Sequence, residues 1–133
     1  MSSASILTQH GIKPSLTRMM IYDCLKESNT HPNVEDIYRQ LVGAIPTLSK
    51  TTVYNTLHLF TEKQLARVVM LKNQENRYDL AGHPHAHFQC LKCHQVFDAE
   101  LSEHPHVPQG FQNFKIDDRS ILFTGTCEQC LRS

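Results

Sequence analysis

The chain contains no tryptophan, and it has no apolar run near the ~18 residues that a membrane-spanning helix needs. It also lacks a net charge, since its 133 residues carry 13 basic and 13 acidic side chains. The first residues, Met1 to Ser5, have neither the basic stretch nor the apolar core of a secretory signal, so we expect a cytoplasmic protein without membrane contact. An apolar share of 40% predicts a globular chain of one domain or two small ones.

The charges are unevenly distributed. Residues 1–72 carry eight basic and five acidic side chains, a balance of +3, whereas residues 73–133 carry five and eight, a balance of −3. Six of the nine histidines and four of the five cysteines lie in the acidic half. A basic half suits a polyanion and an acidic half rich in His and Cys suits cations, although random scatter gives an imbalance of this size as readily.

Four cysteines form two pairs with the same spacing, Cys90–Cys93 and Cys127–Cys130. In a reducing cytosol such pairs are more often metal ligands than disulfides, and four thiolates suit Zn(II). We therefore predict a structural zinc site; the alternative is two redox disulfides or unrelated free thiols. Cys24 lies in an apolar helical pattern and is expected to be a buried core thiol.

The hydrophobic pattern predicts three helices followed by a hairpin. Ser15, Asn33 and Ser49 are expected to cap helices over residues 16–28, from 34, and over 50 to about 63. Strands over 66–71 and 77–80 would form the hairpin. This order is typical of a winged helix-turn-helix, so we predict an α+β fold with a winged-helix domain over residues 1–80 and a small α/β domain over 81–133. In the second domain short strands are expected over 88–90, 95–98, 111–116 and 120–126, and any helix within 99–110 should be very short.

The third predicted helix carries the side chains suited to reading DNA. In a helix-turn-helix unit the second helix lies in the major groove, and its first residues reach the bases. Lys50 and Thr51 can bind phosphates, Asn55 can pair with adenine, and Tyr54 can contact a thymine methyl group or a phosphate. The predicted DNA-binding residues are Arg18, Lys50, Thr51, Thr52, Tyr54 and Asn55. The predicted hairpin, which forms the wing, would bring Arg67, Lys72 and Arg77 towards the sugar-phosphate backbone of DNA. The alternative is an ordinary solvated polar face.

Further histidines and carboxylates offer a second metal site. His85 and His87 lie on one face of an extended segment, because side chains alternate along a strand. With His31, Asp79 and Asp98 they form a nitrogen and oxygen ligand set that suits Fe(II), Mn(II), Co(II) or Zn(II). An ion held by both halves would fix the angle between them and so link metal occupancy to DNA affinity. The alternative is that these are unrelated surface, capping and loop residues.

Together these motifs resemble the ferric uptake regulator family of bacterial metal-dependent repressors over nearly the whole chain. The matching stretches are residues 31–38, 52–57, 77–79, 85–93 and 127–130. The resemblance implies a winged-helix N-terminal domain, an α/β dimerisation domain, and a homodimer that binds double-stranded palindromic operators when loaded with metal. It also implies a transcriptional repressor rather than an enzyme.

Within the family the chain is most similar to the peroxide-sensing branch, which uses three His and two Asp at its regulatory site. These fall on His31, Asp79, His85, His87 and Asp98, and the family's zinc thiolates fall on Cys90, Cys93, Cys127 and Cys130. The resemblance implies that Fe(II) in the regulatory site reduces peroxide, that His31 and His85 are oxidised, and that the protein then leaves DNA; Mn(II) would support binding without this reaction. Peroxide would be a signal, and we expect no other small-molecule substrate.

Two other functions remain open at this point. One is a metal-uptake repressor that responds to iron, zinc or manganese occupancy without oxidation. The other is a metalloenzyme that uses the His and Asp set, although no Glu lies between adjacent ligands as in zinc hydrolases. The chain also departs from the family, because Gln64 and His94 stand where glycines are usual and segment 99–110 is short and contains two prolines.

Overall fold

The computed structural model describes residues 1–28, 31–81, 85–100, 107–116 and 119–133. The chain divides into two compact units, Met1–Ala81 and Gly82–Ser133. Among the described residues, the longest helices are too short and too polar to cross a bilayer.

The first unit begins with four helices, α1 (Ser3–Gln9), α2 (Leu16–Glu27), α3 (Val34–Leu41) and α4 (Lys50–Glu62). The predicted caps are present: the Ser15 hydroxyl accepts from the Arg18 N–H, and the Ser49 hydroxyl accepts from the Thr52 N–H. At α3, Asn33 and Asp36 form a reciprocal capping box. These side chains satisfy backbone donors that a helix cannot satisfy itself, and for that reason the helix starts were predictable.

Helix α1 was not predicted. Ser2 caps it by accepting from the Ser5 N–H, and Leu7 is fully buried in the core of the unit. The Ser3 hydroxyl also donates to Asp23 Oδ1 on α2 at 2.5 Å. With seven residues the helix is too short to be stable alone, so its packing on α2 determines it.

A hairpin completes the first unit. Strand β1 (Ala66–Val69) pairs antiparallel with β2 (Arg77–Leu80), with Ala66 opposite Leu80 and Val69 opposite Arg77. Tyr78 of β2 donates its N–H to the Pro32 carbonyl at 2.9 Å, which ties the hairpin to the segment before α3. Helices α2 to α4 followed by this hairpin reproduce the order of elements predicted for the first domain.

The second unit contains a three-stranded sheet in the order β4-β3-β5. Strand β3 (His85–Cys90) pairs antiparallel with β4 (Val96–Glu100) and parallel with β5 (Leu122–Gly125). A short helix, α5 (Glu128–Leu131), begins directly after Cys127 and contains Cys130. The unit therefore mixes helix and sheet as predicted, although β3 and β4 each extend beyond the predicted strands.

The strand predicted over residues 111–116 is wrong. A 3₁₀ turn (Gln109–Phe111) runs into a further turn, and the rings of Phe111 and Phe114 stack with centroids 5.3 Å apart. Apolar residues three apart place their side chains together in a turn, whereas a strand needs alternation. The sequence also predicts that any helix within residues 99–110 is very short. Residues 101–106 lie outside the described part of the chain, and the helical structure seen in the described part of this segment is the start of the 3₁₀ turn.

Candidate metal centres and nucleic-acid interface

The four paired cysteines converge in the second unit. Their sulfur atoms all lie within 4.8 Å of one another, and the Cys90–Cys130 and Cys93–Cys127 sulfur pairs are each 3.8 Å apart. A regular tetrahedron with Zn–S bonds of about 2.3 Å has edges of about 3.8 Å. All the cysteines are free thiols. The separations fit a single tetrahedral ion and are too long for disulfide bonds, which measure about 2.05 Å.

Strand β3 and helix α5 hold these thiols in place. Cys90 is the last residue of β3, and Cys127 is the N-cap of α5. The Leu91 N–H donates to the Gly125 carbonyl at 2.7 Å, which fixes the first cysteine turn against the end of β5. The second pair therefore spans the first turn of a helix, which its spacing alone did not reveal.

Backbone donors prepare one sulfur for a cation. The N–H groups of Cys93, Cys127 and Lys92 each point at Cys90 Sγ from 3.4 Å, and they lower the pKa of the Cys90 thiol to about 5. The hydrogen bond with Cys127 and burial raise the pKa of Cys130 to about 12. Cys90 is therefore the sulfur best prepared to meet a cation as a thiolate, and a bound divalent ion favours the thiolate form of each cysteine that ligates it.

In the first unit, His31 and Asp79 lie together. His31 Nδ1 is 3.7 Å from Asp79 Oδ2, and the imidazole is buried. The His31 backbone has a φ of 53°, in the left-handed region and directly before Pro32. That conformation costs about 1–2 kcal/mol for a residue with a side chain, and it directs an imidazole inward from a loop. His31 is therefore not the surface residue that the alternative proposed.

In the second unit, His87 and Asp98 face each other across β3 and β4. They are direct partners in the strand register, and His87 Nε2 lies 3.5 Å from Asp98 Oδ1. His87 is buried. The backbone of His85 belongs to β3, but its side chain lies outside what the structure describes. Four of the five predicted nitrogen and oxygen ligands thus form two His–Asp pairs, one in each unit.

The start of α4 presents an exposed polar surface. Thr51, Thr52, Tyr54 and Asn55 are exposed, whereas Val53 and Leu57 are buried in the core. A groove of about 270 Å³ runs between this surface and the start of α2, lined by Ser15, Thr17, Arg18, Thr52, Asn55, Thr56 and Leu59. Of the predicted DNA-binding residues, Arg18, Thr52 and Asn55 therefore lie together along this groove.

Two neighbours of this surface were missed by the sequence analysis. The carboxylate of Glu35 on α3 accepts a hydrogen bond from Lys50 Nζ at 2.5 Å. The ring of His58 stacks on Tyr54 with centroids 6.2 Å apart. The second contact was detectable as a pair four residues apart on one helix, whereas the first depends on how α3 packs against α4. Arg18 Nη1 donates to the Lys13 carbonyl at 2.8 Å, which anchors that guanidinium at the edge of the groove.

A metal-binding regulator accounts for a thiol cluster, two His–Asp pairs and an exposed polar helix in one small chain. The ferric uptake regulator family model matches residues 9–123, and the chain belongs to this family. Members of the family are transcriptional regulators, so the prediction that the chain is not an enzyme is confirmed.

Curated relatives and solved structures agree with this assignment. A peroxide operon regulator of Bacillus subtilis is 29% identical over 127 residues, covering 93% of this chain and 88% of the relative. The peroxide-responsive repressor PerR of Staphylococcus aureus (strain Mu50) is 28% identical over 131 residues, covering 96% and 88%. The fold matches the Helicobacter pylori ferric uptake regulator with a TM-score of 0.73 and 22% identity, covering 97% of this chain and 89% of that one.

Proposed function

We propose that this protein is a cytoplasmic, metal-dependent repressor that binds operator DNA as a homodimer and is released when peroxide oxidises its ligand histidines. The observation that carries the proposal is the pairing of each buried imidazole with an aspartate, His31 with Asp79 and His87 with Asp98. The curated relatives named as peroxide regulators support the same assignment.

Each His–Asp pair supplies only two donor atoms. Fe(II) and Mn(II) in imidazole and carboxylate sites take more ligands than two, so neither pair is complete alone. We propose that both pairs and His85 bind one Fe(II) or Mn(II) ion. The two aspartates balance the charge of a divalent ion. Because the proposed ligands come from both units, occupancy of the site by metal would be coupled to the affinity for DNA.

The proposed release step alters the ligands themselves. Fe(II) held by these residues would activate hydrogen peroxide by lending it one electron and recovering one from the ring, so that both electrons that reduce the peroxide come from the imidazole. At His31 or His85 one peroxide oxygen enters the imidazole ring and the other leaves as water. The oxidised ring is a poor ligand, so the site loses its ion and with it the proposed metal-dependent affinity for DNA.

The proposed DNA surface is the exposed start of α4. Thr51 and Thr52, beside the positive end of the helix, suit phosphates, and Asn55 and Tyr54 suit base edges. Arg18, at the edge of the groove beside α4, would contact a phosphate. We propose that α4 is the recognition helix of a winged helix-turn-helix, with the β1–β2 hairpin as its wing.

The proposed dimer surface is a row of phenylalanines on the second unit. Phe88 is the register partner of Phe97 on β4 and of Phe123 on β5, so all three share one sheet face. Phe97 and Phe123 are exposed. An aromatic row open to solvent is costly in a monomer and suits burial against a second copy across a two-fold axis. The four-cysteine cluster, with bound Zn(II), would stabilise the unit that carries this face.

The test uses full-length protein with one zinc per chain, loaded with Fe(II) without oxygen and bound to a duplex selected from random sequences. Dilute peroxide should release the protein and add one oxygen atom to peptides containing His31 or His85, whereas Mn(II)-loaded protein should stay bound and unmodified. Asp79→Ala and His87→Ala should each abolish stimulation of binding by Mn(II), since each removes a ligand. His10→Ala, a histidine outside both pairs, is the matched control.

Two results would overturn parts of this proposal. Retention on DNA with unmodified His31 and His85 would reject peroxide sensing and leave a repressor governed by metal occupancy. Unchanged Mn(II) stimulation in Asp79→Ala and His87→Ala would reject the regulatory site itself.

A further inference from the structure

Lys50 is the one charged residue in the stretch from Ser49 to Leu57, which begins α4. As the first residue of the helix it lies at the positive end of the helix dipole, where a cation is unfavourable. A compensating anion on another element would therefore stabilise it. The structure provides one on the neighbouring helix.

That anion is Glu35 on α3. Its Oε2 accepts from Lys50 Nζ at 2.5 Å, while its Oε1 accepts from Arg39 Nε at 3.1 Å. Lys50 Nζ also lies 5.6 Å from the centre of the Tyr38 ring, within range of a cation–π interaction. The hydrogen bond from Lys50 is the main reason why the pKa of Glu35 lies below its usual value, so the carboxylate is ionised at neutral pH.

This ion pair engages the Lys50 ammonium, which the sequence predicts to bind a DNA phosphate. A carboxylate and a phosphate oxygen are similar hydrogen-bond acceptors, and one ammonium held at 2.5 Å by Glu35 is not directed at a separate phosphate. We propose that Glu35 is an intramolecular competitor for the DNA backbone, which holds Lys50 in the free protein and must release it when Lys50 binds a phosphate. This inference rests on the proposed function, because it assumes that α4 faces DNA.

The competition acts equally on every DNA sequence. Phosphate contacts carry affinity and salt dependence but no base information. Glu35 would therefore set how tightly the repressor binds any duplex and leave its sequence preference unchanged. It is a positioning residue for Lys50 and contacts no base itself.

The experiment compares the zinc- and Mn(II)-loaded wild type with Glu35→Gln on two duplexes, one selected by the wild type from random sequences and one of unselected sequence, over a range of KCl concentrations. Glu35→Gln keeps the shape and size of the side chain. It should raise affinity for both duplexes about three- to tenfold at low salt, and this gain should shrink as the KCl concentration rises, because salt screens the Glu35–Lys50 pair that the variant lacks. The ratio of the two affinities should not change.

Two variants separate this effect from a general loss of negative charge. Glu62→Gln removes an exposed acid from the other end of α4, which is paired with His58 at 2.9 Å, and should change affinity less than Glu35→Gln. In a Lys50→Gln background, Glu35→Gln should have no more effect than Glu62→Gln, because the cation it releases is gone. An undiminished effect in that background would assign it to Arg39 and reject the proposal.

The possible failures are distinguishable. If the Mn(II)-loaded wild type binds neither duplex, the proposed function fails and the inference fails with it. If the wild type binds and Glu35→Gln binds equally or more weakly, only the competition is rejected. In that case Glu35 would orient Lys50 towards DNA or take no part.

Discussion

The first unit buries a cluster of aliphatic and aromatic side chains, whereas the buried apolar residues in the described part of the second unit are two cysteines and an alanine. The core cluster extends from Leu7 to Tyr78, entirely within the first unit. Among the described residues of the second unit, the buried apolar ones are Cys90, Cys127 and Ala86. Its larger side chains, including Phe97, Phe114 and Phe123, are exposed.

Size explains part of the difference. The second unit has 52 residues, from Gly82 to Ser133, and domains of this size bury too little apolar surface to be more than marginally stable. Metals and oligomerisation are the usual remedies for small domains. A thiol cluster with tetrahedral spacing and an exposed aromatic row are the features that each remedy requires. From this comparison we expect the first unit to be stable by its own packing, and the second unit to depend on zinc and on the second copy of the proposed dimer.

Loss of zinc should give the largest difference between the units. Cys90→Ser removes the sulfur that accepts three backbone N–H groups, so the variant should lose its bound zinc and unfold over residues 82–133. Structural zinc supplies about 10–16 kcal/mol of apparent binding free energy in small metal-dependent domains. The helical circular dichroism of α2 to α4 should persist. Metal analysis together with hydrogen exchange read separately for each unit measures both effects.

Cys24→Ser is the matched control, because it removes the thiol that donates to Gln40 Oε1 in the first unit and touches no zinc ligand. It should retain one zinc per chain and an ordered second unit. If Cys90→Ser keeps its zinc, or if both units unfold together, the contrast drawn between them is wrong.

Association should give the next largest effect. Phe123→Thr keeps a strand-favouring residue in β5 but removes the most exposed ring of the aromatic row, which is 58% exposed. Burying a fully exposed phenylalanine is worth about 1.5–3 kcal/mol, and 58% of this ring remains to be buried. A symmetric interface counts the change twice, so the dissociation constant of the dimer should rise by at least about twentyfold. Sedimentation of the zinc-loaded protein measures this change. Met70→Thr, at an exposed site of the first unit, should leave the dimer intact, and equal behaviour of the two variants would place the interface elsewhere.

The two units also differ in how far the sequence predicted them. In the first unit, local signals matched local structure: Ser15, Asn33 and Ser49 cap the helices that were expected to begin after them. Helix α1 was missed because its stability comes from packing on α2. In the second unit, the strand expected over 111–116 was wrong, because exposed rings spaced three apart carry no information about a sheet face.

The candidate sites show the same limit. Two equal cysteine spacings were sufficient to predict a single zinc site, since the two cysteines of each pair are close together in the sequence. The separation of the two pairs, from Cys93 to Cys127, gave no information on how they meet. The pairing of Glu35 with Lys50 was not predictable, because it requires the packing of α3 on α4 and involves residues whose types are common on any helix surface.

The smallest expected effect is on the free energy of unfolding, from residues with a left-handed backbone conformation. Each unit has one such residue at a position where glycine is usual in the family. Gln64 has a φ of 61° in the first unit and His94 a φ of 65° in the second. Gln64→Gly relieves strain of about 1–2 kcal/mol but adds about 0.5–1 kcal/mol of unfolded-chain entropy, so it should stabilise the first unit by about 0.5–1 kcal/mol. Urea unfolding followed by helical circular dichroism measures this gain.

Asn73 provides the matched control, since it has a φ of 58° in the same unit and asparagine tolerates this conformation well. Asn73→Gly should therefore gain less than Gln64→Gly, and equal gains would show that Gln64 is not strained. His94→Gly should leave the first unit unchanged and stabilise only the second, where about 1 kcal/mol is small beside the contribution of zinc. A gain in the first unit from His94→Gly would show that the two units unfold as one, and it would remove the basis for treating their stabilities separately.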